Sequence, residues 1–183
     1  DWYVAQHRGI PIDSTLRSKL DGLFAQIKAS NLQSLGGARV YVHRDFMPRN
    51  LMPAAAGPAV LDFQDAVRGP IAYDALSLFK DAFLSWPQDR VDGWLDRYHA
   101  RAVSAGLPVP ARVRFRRDAD WIGIQRHLKV MGIFARLHHR DAKPKYLADA
   151  PRFLAYLDGV LPKYPELAPL EALLDRHVRP ALD

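Results

Sequence analysis

The chain has 183 residues, of which 49% are hydrophobic and 25% are charged, and it contains no cysteine. This composition predicts one soluble globular domain covering residues 1–183. It argues against disorder and a membrane span, because no stretch approaches the roughly 20 uninterrupted apolar residues that a span needs. The lack of cysteine excludes disulfide bridges, thiolate zinc sites and cysteine nucleophiles, and it leaves the cytoplasm as the default compartment.

The first predicted element is an amphipathic helix. Pro11, Asp13 and Ser14 form a helix-start signal. Apolar residues then recur at spacings of four, three and four, which places them on one face: Leu16, Leu20, Leu23 and Ile27. The segment 31–39 contains Gly36 and Gly37 and is expected to end this helix.

Short β-strands are predicted next. Val40 and Val42 are β-branched and flank an aromatic residue, which predicts a strand leading into a loop. Two short apolar runs, residues 51–52 and 59–61, are separated by a segment that begins and ends with proline. They predict a small β-hairpin.

From Pro70 onward the pattern is helical. It predicts a buried helix over 71–84, a one-sided helix ending near Gly106 and Pro108, and a long helix over 113–139. Two further helices are expected around 151–161 and 166–178. The predicted fold class is therefore mainly α with a small β-hairpin, an α+β domain.

The chain carries a formal net charge of +6, which would suit an acidic partner. The basic residues are spread along the sequence, and the one dense cluster consists of Arg112, Arg114, Arg116 and Arg117. No nucleic-acid-binding motif or aromatic platform accompanies them, so no nucleic-acid partner is expected. Nucleotide phosphates are an equally good target for this field.

A chemical motif lies between residues 42 and 74. His43, Arg44 and Asp45 precede Asn50 with the spacing H-R-D-x-x-x-x-N, and Asp62 follows twelve residues after Asn50. Phosphoryl transfer uses these residue types in this order: a carboxylate at the acceptor hydroxyl, then an amide and a carboxylate that hold metal ions. Hard oxygen ligands suit Mg²⁺ better than zinc. Taken singly, each residue could instead form an Asx turn or end a strand.

These motifs, with the runs VLDFQDA and GPIAYD, resemble the aminoglycoside phosphotransferase and choline kinase superfamily, which has a protein-kinase-like fold. The surrounding sequence, including WIGIQRHLKVMGIFARLHHRD, is most similar to bacterial anomeric sugar kinases. These enzymes phosphorylate N-acetylmuramate and N-acetylglucosamine at C1 in cell-wall recycling. The resemblance covers essentially the whole chain as a C-terminal lobe. It implies ATP as co-substrate, Mg²⁺ as cofactor and a sugar as acceptor.

The resemblance also implies roles at matching positions. Asp45 would be the catalytic base, and Asn50 and Asp62 would hold Mg²⁺ at the nucleotide phosphates. Met52 matches the apolar floor under adenine, although a core methionine of the hairpin is an equal alternative.

Other matching positions would position the loop. His43 and Arg44 would brace it by hydrogen bonds, and Asp74 on the following helix would do the same. Asp65 could face the metal or the sugar, or it could be a solvated carboxylate.

The acceptor site is expected between the catalytic loop and the later helices. Arg136 and Arg140 recur at one helical turn and could meet the carboxylate of an acidic sugar or nucleotide phosphates. A solvated basic helix face is the alternative for each of them.

The sequence departs from the resemblance in what it lacks. It has neither a G-x-G-x-x-G loop nor a V-A-I-K-like strand before the catalytic loop, and Gly36 and Gly37 lie too close to that loop to substitute. The chain also begins at Asp1, inside an aromatic segment without an initiator methionine. An absent N-terminal lobe is therefore expected, and the chain alone is expected to be inactive.

Two alternatives stay open. The acceptor could be an aminoglycoside or a choline-type amino alcohol, which acidic residues in the acceptor site would favour. The chain could also be a non-catalytic, kinase-like binding domain, although the intact Asp45, Asn50 and Asp62 argue against this.

Overall fold

A computed structural model describes residues 1–35 and 39–179. Gly36 and Gly37 lie outside these residues, but the first helix ends at Gln33, within the segment 31–39 where the sequence predicts its end. The described α-helices are α1 Ser14–Gln33, α2 Ala72–Phe79, α3 Gln88–Ser104, α4 Arg112–Asp141, α5 Ala150–Asp158 and α6 Ala168–His177. The described strands are β1 Arg39–Val42, β2 Leu51–Met52, β3 Ala59–Val60 and β4 Val67–Pro70. The prediction of a mainly helical fold with a small antiparallel β component is confirmed.

The four strands pair in a nested order. β1 pairs antiparallel with β4, with Val42 opposite Val67, and β2 pairs antiparallel with β3, with Leu51 opposite Val60. The second pair is the predicted hairpin. β4 was not predicted, because its sequence VRGP contains glycine and proline and has no apolar alternation. Proline is tolerated there because it lies at the end of a strand in a two-stranded sheet.

α1 begins where the sequence predicts. The Asp13 carboxylate accepts a hydrogen bond of 2.7 Å from the Leu16 backbone N–H, the standard N-cap contact. Leu16, Leu23 and Ile27 are buried, and Leu20 is half-buried. The predicted apolar face is therefore the packed face.

α2 is shorter than the predicted helix over 71–84. It ends at Phe79, and the carboxylate of Asp81 accepts hydrogen bonds from the backbone N–H groups of Phe83 and Leu84, at 2.8 and 3.0 Å. Aspartate competes with the helix for backbone donors in this way, and apolar periodicity does not report it.

α3 ends as predicted near Gly106, which has a φ of +66°. The N–H of Gly106 donates to the carbonyl of Val103, and the N–H of Leu107 donates to that of Ala102, both at 3.0 Å. This is a Schellman motif, in which glycine adopts the left-handed conformation at low cost.

The clustered arginines at the start of α4 form contacts within the fold. The partners are Asp96 for Arg112, Asp118 for Arg114, Asp92 for Arg116, and the Ser30 hydroxyl for Arg117. These four arginines therefore bind partners within the fold.

The chain divides into two compact units. Unit 1 consists of Asp1–Ala29 and the described residues from Ile124 onward, and unit 2 of Ser30–Gly123. Unit 1 buries apolar residues of α1, α4, α5 and α6, and it includes a π-helical segment, Trp2–His7, that was not predicted. Unit 2 has a core of α2, α3 and the first turns of α4, with Phe115 fully buried. A compact unit is not by itself an independent domain, so one domain over 1–183 stays a prediction.

Within the described ranges, every helix is too short or too polar to cross a membrane.

Candidate functional site

Two loops of unit 2 contain most of the motif residues. One loop, 43–50, joins β1 to β2, and the other, 61–66, joins β3 to β4. Because β1 pairs with β4 and β2 with β3, the two loops connect the same two ladders and must lie side by side. The nested strand order therefore places the loop that contains Asp45 and Asn50 next to the loop that contains Asp62.

Hydrogen bonds brace the first loop internally and fasten it to the second loop. The Asn50 side-chain amide donates to the Asp45 carbonyl at 2.9 Å, and the Leu61 N–H donates to the Asn50 carbonyl at 2.9 Å. The His43 ring lies with Nε2 2.7 Å from the Leu61 carbonyl oxygen, so this nitrogen carries the proton. Asp62 follows Leu61 directly, and its position is thereby tied to the first loop.

His43 is buried, with 6% of its surface exposed. Its Nδ1 atom has no hydrogen-bond partner among the described residues. The ring packs edge-on against Phe46, with centroids 6.0 Å apart. These contacts show a histidine held by packing and by one strong hydrogen bond.

Asp74 of α2 contacts the start of the first loop. Its carboxylate oxygens accept hydrogen bonds from the backbone N–H of His43 at 2.6 Å and of Arg44 at 3.0 Å. Arg44 has a φ of +76°, a left-handed conformation that costs a non-glycine residue roughly 1–2 kcal/mol. The Arg44 guanidinium also donates to the Asp65 carbonyl at 3.4 Å.

Asp62 likewise adopts a left-handed conformation, with a φ of +64°. One carboxylate oxygen, Oδ1, accepts a hydrogen bond from the Gln64 side chain at 3.0 Å. The other oxygen of Asp62 and the side-chain oxygen of Asn50 accept no hydrogen bond from another described residue. Two accessible hard oxygens on adjacent loops fit Mg²⁺, which keeps waters and substrate oxygens as its other ligands.

No cluster of three or more His, Cys, Asp or Glu side chains suited to a metal ion occurs within 1–35 and 39–179. A cation at Asn50 and Asp62 would therefore take most of its ligands from solvent or from a phosphate.

The remaining predicted residues of this region lie at its surface. Met52 is 51% exposed, so the alternative of a core methionine is wrong. Asp45 and Asp65 are exposed, and Phe63 is 64% exposed. Met52 of the hairpin and Phe63 of the second loop therefore each present apolar surface to solvent.

Arg136 and Arg140 belong to unit 1, whereas the two loops belong to unit 2. Arg140 forms a bidentate ion pair with Asp141, with N–O distances of 2.7 and 3.1 Å, and this contact lowers the pKa of Asp141. The buried Nε of Arg136 has no hydrogen-bond partner in the described part of the chain.

One set of side chains was missed by the sequence analysis. α3 presents Trp94, Arg97, Tyr98 and Arg101 on one face, at spacings i, i+3, i+4 and i+7. They line a cavity of about 350 Å³ that also includes Pro48 of the first loop. The sequence pattern predicts only that this helix is one-sided, because it does not show that the arginines between the aromatic residues share a cavity with them.

A larger cavity of about 750 Å³ lies in unit 1, between α1 and α6. None of the motif residues lines it.

Comparison with known proteins gives consistent matches. The model of the phosphotransferase enzyme family matches residues 2–116. The N-acetylmuramate/N-acetylglucosamine kinase of Pseudomonas putida is 50% identical over 175 residues, which cover 95% of this chain and 51% of the relative. The kinases of the same name from Pseudomonas aeruginosa and Neisseria meningitidis are 49% and 50% identical, with 95% of this chain and 51% and 52% of the relatives covered. The chain thus spans about half the length of these curated relatives.

Proposed function

The chain belongs to the phosphotransferase enzyme family, and from this premise we propose that it is the catalytic-loop and acceptor-side lobe of an ATP-dependent sugar kinase. The proposed reaction transfers the γ-phosphoryl group of ATP to the C1 hydroxyl of N-acetylmuramate or N-acetylglucosamine. The names of the relatives support this acceptor class. The use is cell-wall recycling, in the cytoplasm, where ATP is available.

One observation carries the proposal: the hydrogen bonds that brace the first loop and join it to the second. Asn50 bonds to the Asp45 carbonyl, and Leu61 bonds to both Asn50 and His43. A base and two metal-ligating oxygens can act in one phosphoryl transfer only if they lie close together. Residues scattered over separate helices would not meet this requirement. The nested strands and these bonds support that convergence.

Each residue then has a chemical role. Asp45, exposed on the first loop, accepts the proton of the sugar hydroxyl or orients that hydroxyl. Asn50 and Asp62 hold Mg²⁺ through their side-chain oxygens. The cation supplies charge neutralisation at the phosphates when it is bound.

The neighbouring residues position this loop. Asp74 and His43 contribute through the hydrogen bonds described above, which hold the backbone of the two residues that directly precede Asp45. Arg44 contributes its contact to Asp65, whose own carboxylate stays available to solvent, sugar or cation.

The nucleotide half of the site lies outside the two loops. Exposed Met52 supplies an apolar surface for adenine, and an N-terminal lobe, with its phosphate-gripping loop, completes the site. The coverage of about half of each relative is consistent with this requirement. By this proposal, the 183-residue chain alone does not turn over substrate.

The test is the substitution Asp45→Asn in the complete gene product. Loss of a general base lowers kcat by about 10²- to 10⁴-fold. The fold is expected to be unchanged, because the Asp45 side chain is exposed and the bond from Asn50 goes to the backbone carbonyl, which the substitution keeps. The assay is phosphorylation of N-acetylmuramate and N-acetylglucosamine with ATP and Mg²⁺.

The control is Asp21→Asn, which removes an exposed carboxylate from α1 and is expected to retain wild-type turnover. Undiminished turnover by Asp45→Asn would refute the base assignment. Choline and kanamycin are offered in parallel, and turnover of either without turnover of a sugar would move the acceptor to the alternative classes. Absence of ATP-dependent turnover with every acceptor would favour the non-catalytic binding domain.

A further inference from the structure

The cavity of about 350 Å³ in unit 2 has no assigned role. Four of its walls are aromatic: Phe79, Trp86, Trp94 and Tyr98. Pro48 lies in the short 3-10 turn that ends at Asn50 and contributes a further wall. The cavity therefore borders the same loop that contains Asp45 and Asn50, and its volume lies within the range of small-molecule sites.

The aromatic walls hold one another in place. The rings of Trp86 and Trp94 meet edge to face, with centroids 5.3 Å apart, and Phe79 lies 5.3 Å from Trp94 at a tilt of 42°. Trp86 is still 39% exposed, so part of its surface faces solvent. A supported, partly open indole is a suitable surface for the apolar C–H face of a pyranose ring.

Tyr98 adds a fixed polar group to the wall. Its hydroxyl donates to the Ile71 carbonyl at 3.1 Å. Burial, and next the negative charge of Asp74, raise the pKa of this phenol, so it remains neutral at physiological pH. The wall is therefore rigid as well as aromatic.

Two arginines give the cavity its charge. Arg97 and Arg101 lie one turn apart on α3 and are both exposed, and neither guanidinium group has a hydrogen bond or ion pair with another described residue. The nearby arginines at the start of α4 differ, since Arg112, Arg114 and Arg116 are all paired with aspartates. No acidic residue of the described chain lines this cavity.

We propose that this cavity is the acceptor subsite and that Arg97 and Arg101 select an acidic sugar by binding its carboxylate, while the ring packs against Trp86. This proposal rests on the proposed function and names the residues that recognise the acceptor sugar. N-acetylmuramate differs from N-acetylglucosamine by a lactyl ether that carries a carboxylate. Arginine recognises carboxylates through paired N–H donors, and a site that contains both cations would repel aminoglycosides and choline.

The charge arrangement favours this cavity over the basic face of α4. Arg140 already forms a bidentate ion pair with Asp141, which leaves fewer of its guanidinium N–H donors for a ligand. The larger cavity of unit 1 contains Asp13, which caps α1, and lies on no element of the motif. The cavity at Pro48 combines guanidinium groups that have no partner among the described residues with a wall from the first loop.

The experiment compares two sugars in the complete gene product. The double variant Arg97→Ala and Arg101→Ala is expected to lower the ratio of kcat/KM for N-acetylmuramate to that for N-acetylglucosamine by about 10- to 100-fold, mainly through KM. Arg90→Ala on the same helix is the matched control, because Arg90 is exposed and does not line the cavity. It should leave the ratio at the wild-type value.

A second variant separates stacking from charge. Trp86→Ala should raise KM for both sugars by about 3- to 10-fold with an unchanged ratio. An unchanged ratio in the arginine variant, or an equal loss with Arg90→Ala, would overturn the subsite while leaving a sugar kinase intact.

Direct binding keeps the two proposals distinct. If the wild type turns over neither sugar, the proposed function fails, and titration calorimetry with N-acetylmuramate alone then decides the subsite. Binding that is lost in the arginine variant and kept in Arg90→Ala supports it. Absence of binding, or binding that is indifferent to the arginines, overturns it.

Discussion

Removal of the Asp74 carboxylate is expected to loosen the start of the first loop, 43–50. In Asp74→Ala the backbone N–H groups of His43 and Arg44 lose the acceptor that they reach at 2.6 and 3.0 Å. Asp74→Asn keeps the shape of the side chain but replaces one acceptor oxygen by an amide donor. One of the two N–H groups then faces a donor instead of an acceptor.

The magnitude follows from the number and type of these bonds. A hydrogen bond to a charged group contributes about 1.5–3 kcal/mol when buried. Asp74 is half-buried and Arg44 is exposed, so values at the low end apply, about 2–4 kcal/mol for the alanine variant and about half of this for asparagine. The strained left-handed φ of Arg44 adds to the loss, because these bonds hold it there.

The assay is amide hydrogen exchange of a peptide covering residues 40–46 in the complete gene product. A loss of 2 kcal/mol in the free energy of local opening lowers protection about 30-fold. The control is Asp21→Ala on the exposed face of α1, for which protection of this peptide should not change. If Asp74→Ala is folded and the peptide keeps its wild-type protection, the proposed positioning of the loop by Asp74 is incorrect.

Two further predictions concern stability, measured as the free energy of unfolding in urea. Gly69→Ala places a Cβ 3.1 Å from a methyl group of Val42 and should lower the free energy of unfolding by about 1 kcal/mol or more. Gly93→Ala, which has open space around it on α3, should raise the free energy of unfolding by about 0.5–1 kcal/mol. A stabilising effect of Gly69→Ala would contradict the packing of β1 against β4. Burial and neighbouring cationic side chains lower the pKa of His7, so stability is fully present above the unfolded value near 6.5 and falls as the pH drops below it. His7→Gln should reduce this acid sensitivity between pH 7.5 and 5, and an identical pH profile would exclude the contribution.

The long helices were predictable because they are local. The spacing of Leu16, Leu23 and Ile27 and the cap at Asp13 determine α1 without reference to the rest of the chain. β4 was not predictable in the same way, because its residues join a strand only through the partner β1. The early end of α2 depends on a single side chain, Asp81, that competes for backbone donors.

The candidate site was predictable as far as residue type and order specify chemistry. Asp45, Asn50 and Asp62 could be selected by spacing, but the nested strand order that relates them is tertiary. The face of Trp94, Arg97 and Tyr98 was visible as a periodicity, but whether an arginine on it is paired depends on neighbours distant in sequence. Periodicity identifies a face and does not say what that face contacts.

The same reasoning applies to charge. A net charge of +6 cannot distinguish a nucleic-acid surface from a substrate pocket, because it counts Arg112 and Arg97 alike. In the structure Arg112 is bonded to Asp96 through two N–O contacts of 2.6 and 2.9 Å, so its charge is locally balanced. Arg97 has no such partner within the described residues and lies on an aromatic cavity. An arginine whose guanidinium group has no partner in the fold can bind a ligand. Because Arg97 lies beside the first loop, an anionic acceptor explains this charge better than a nucleic-acid partner does.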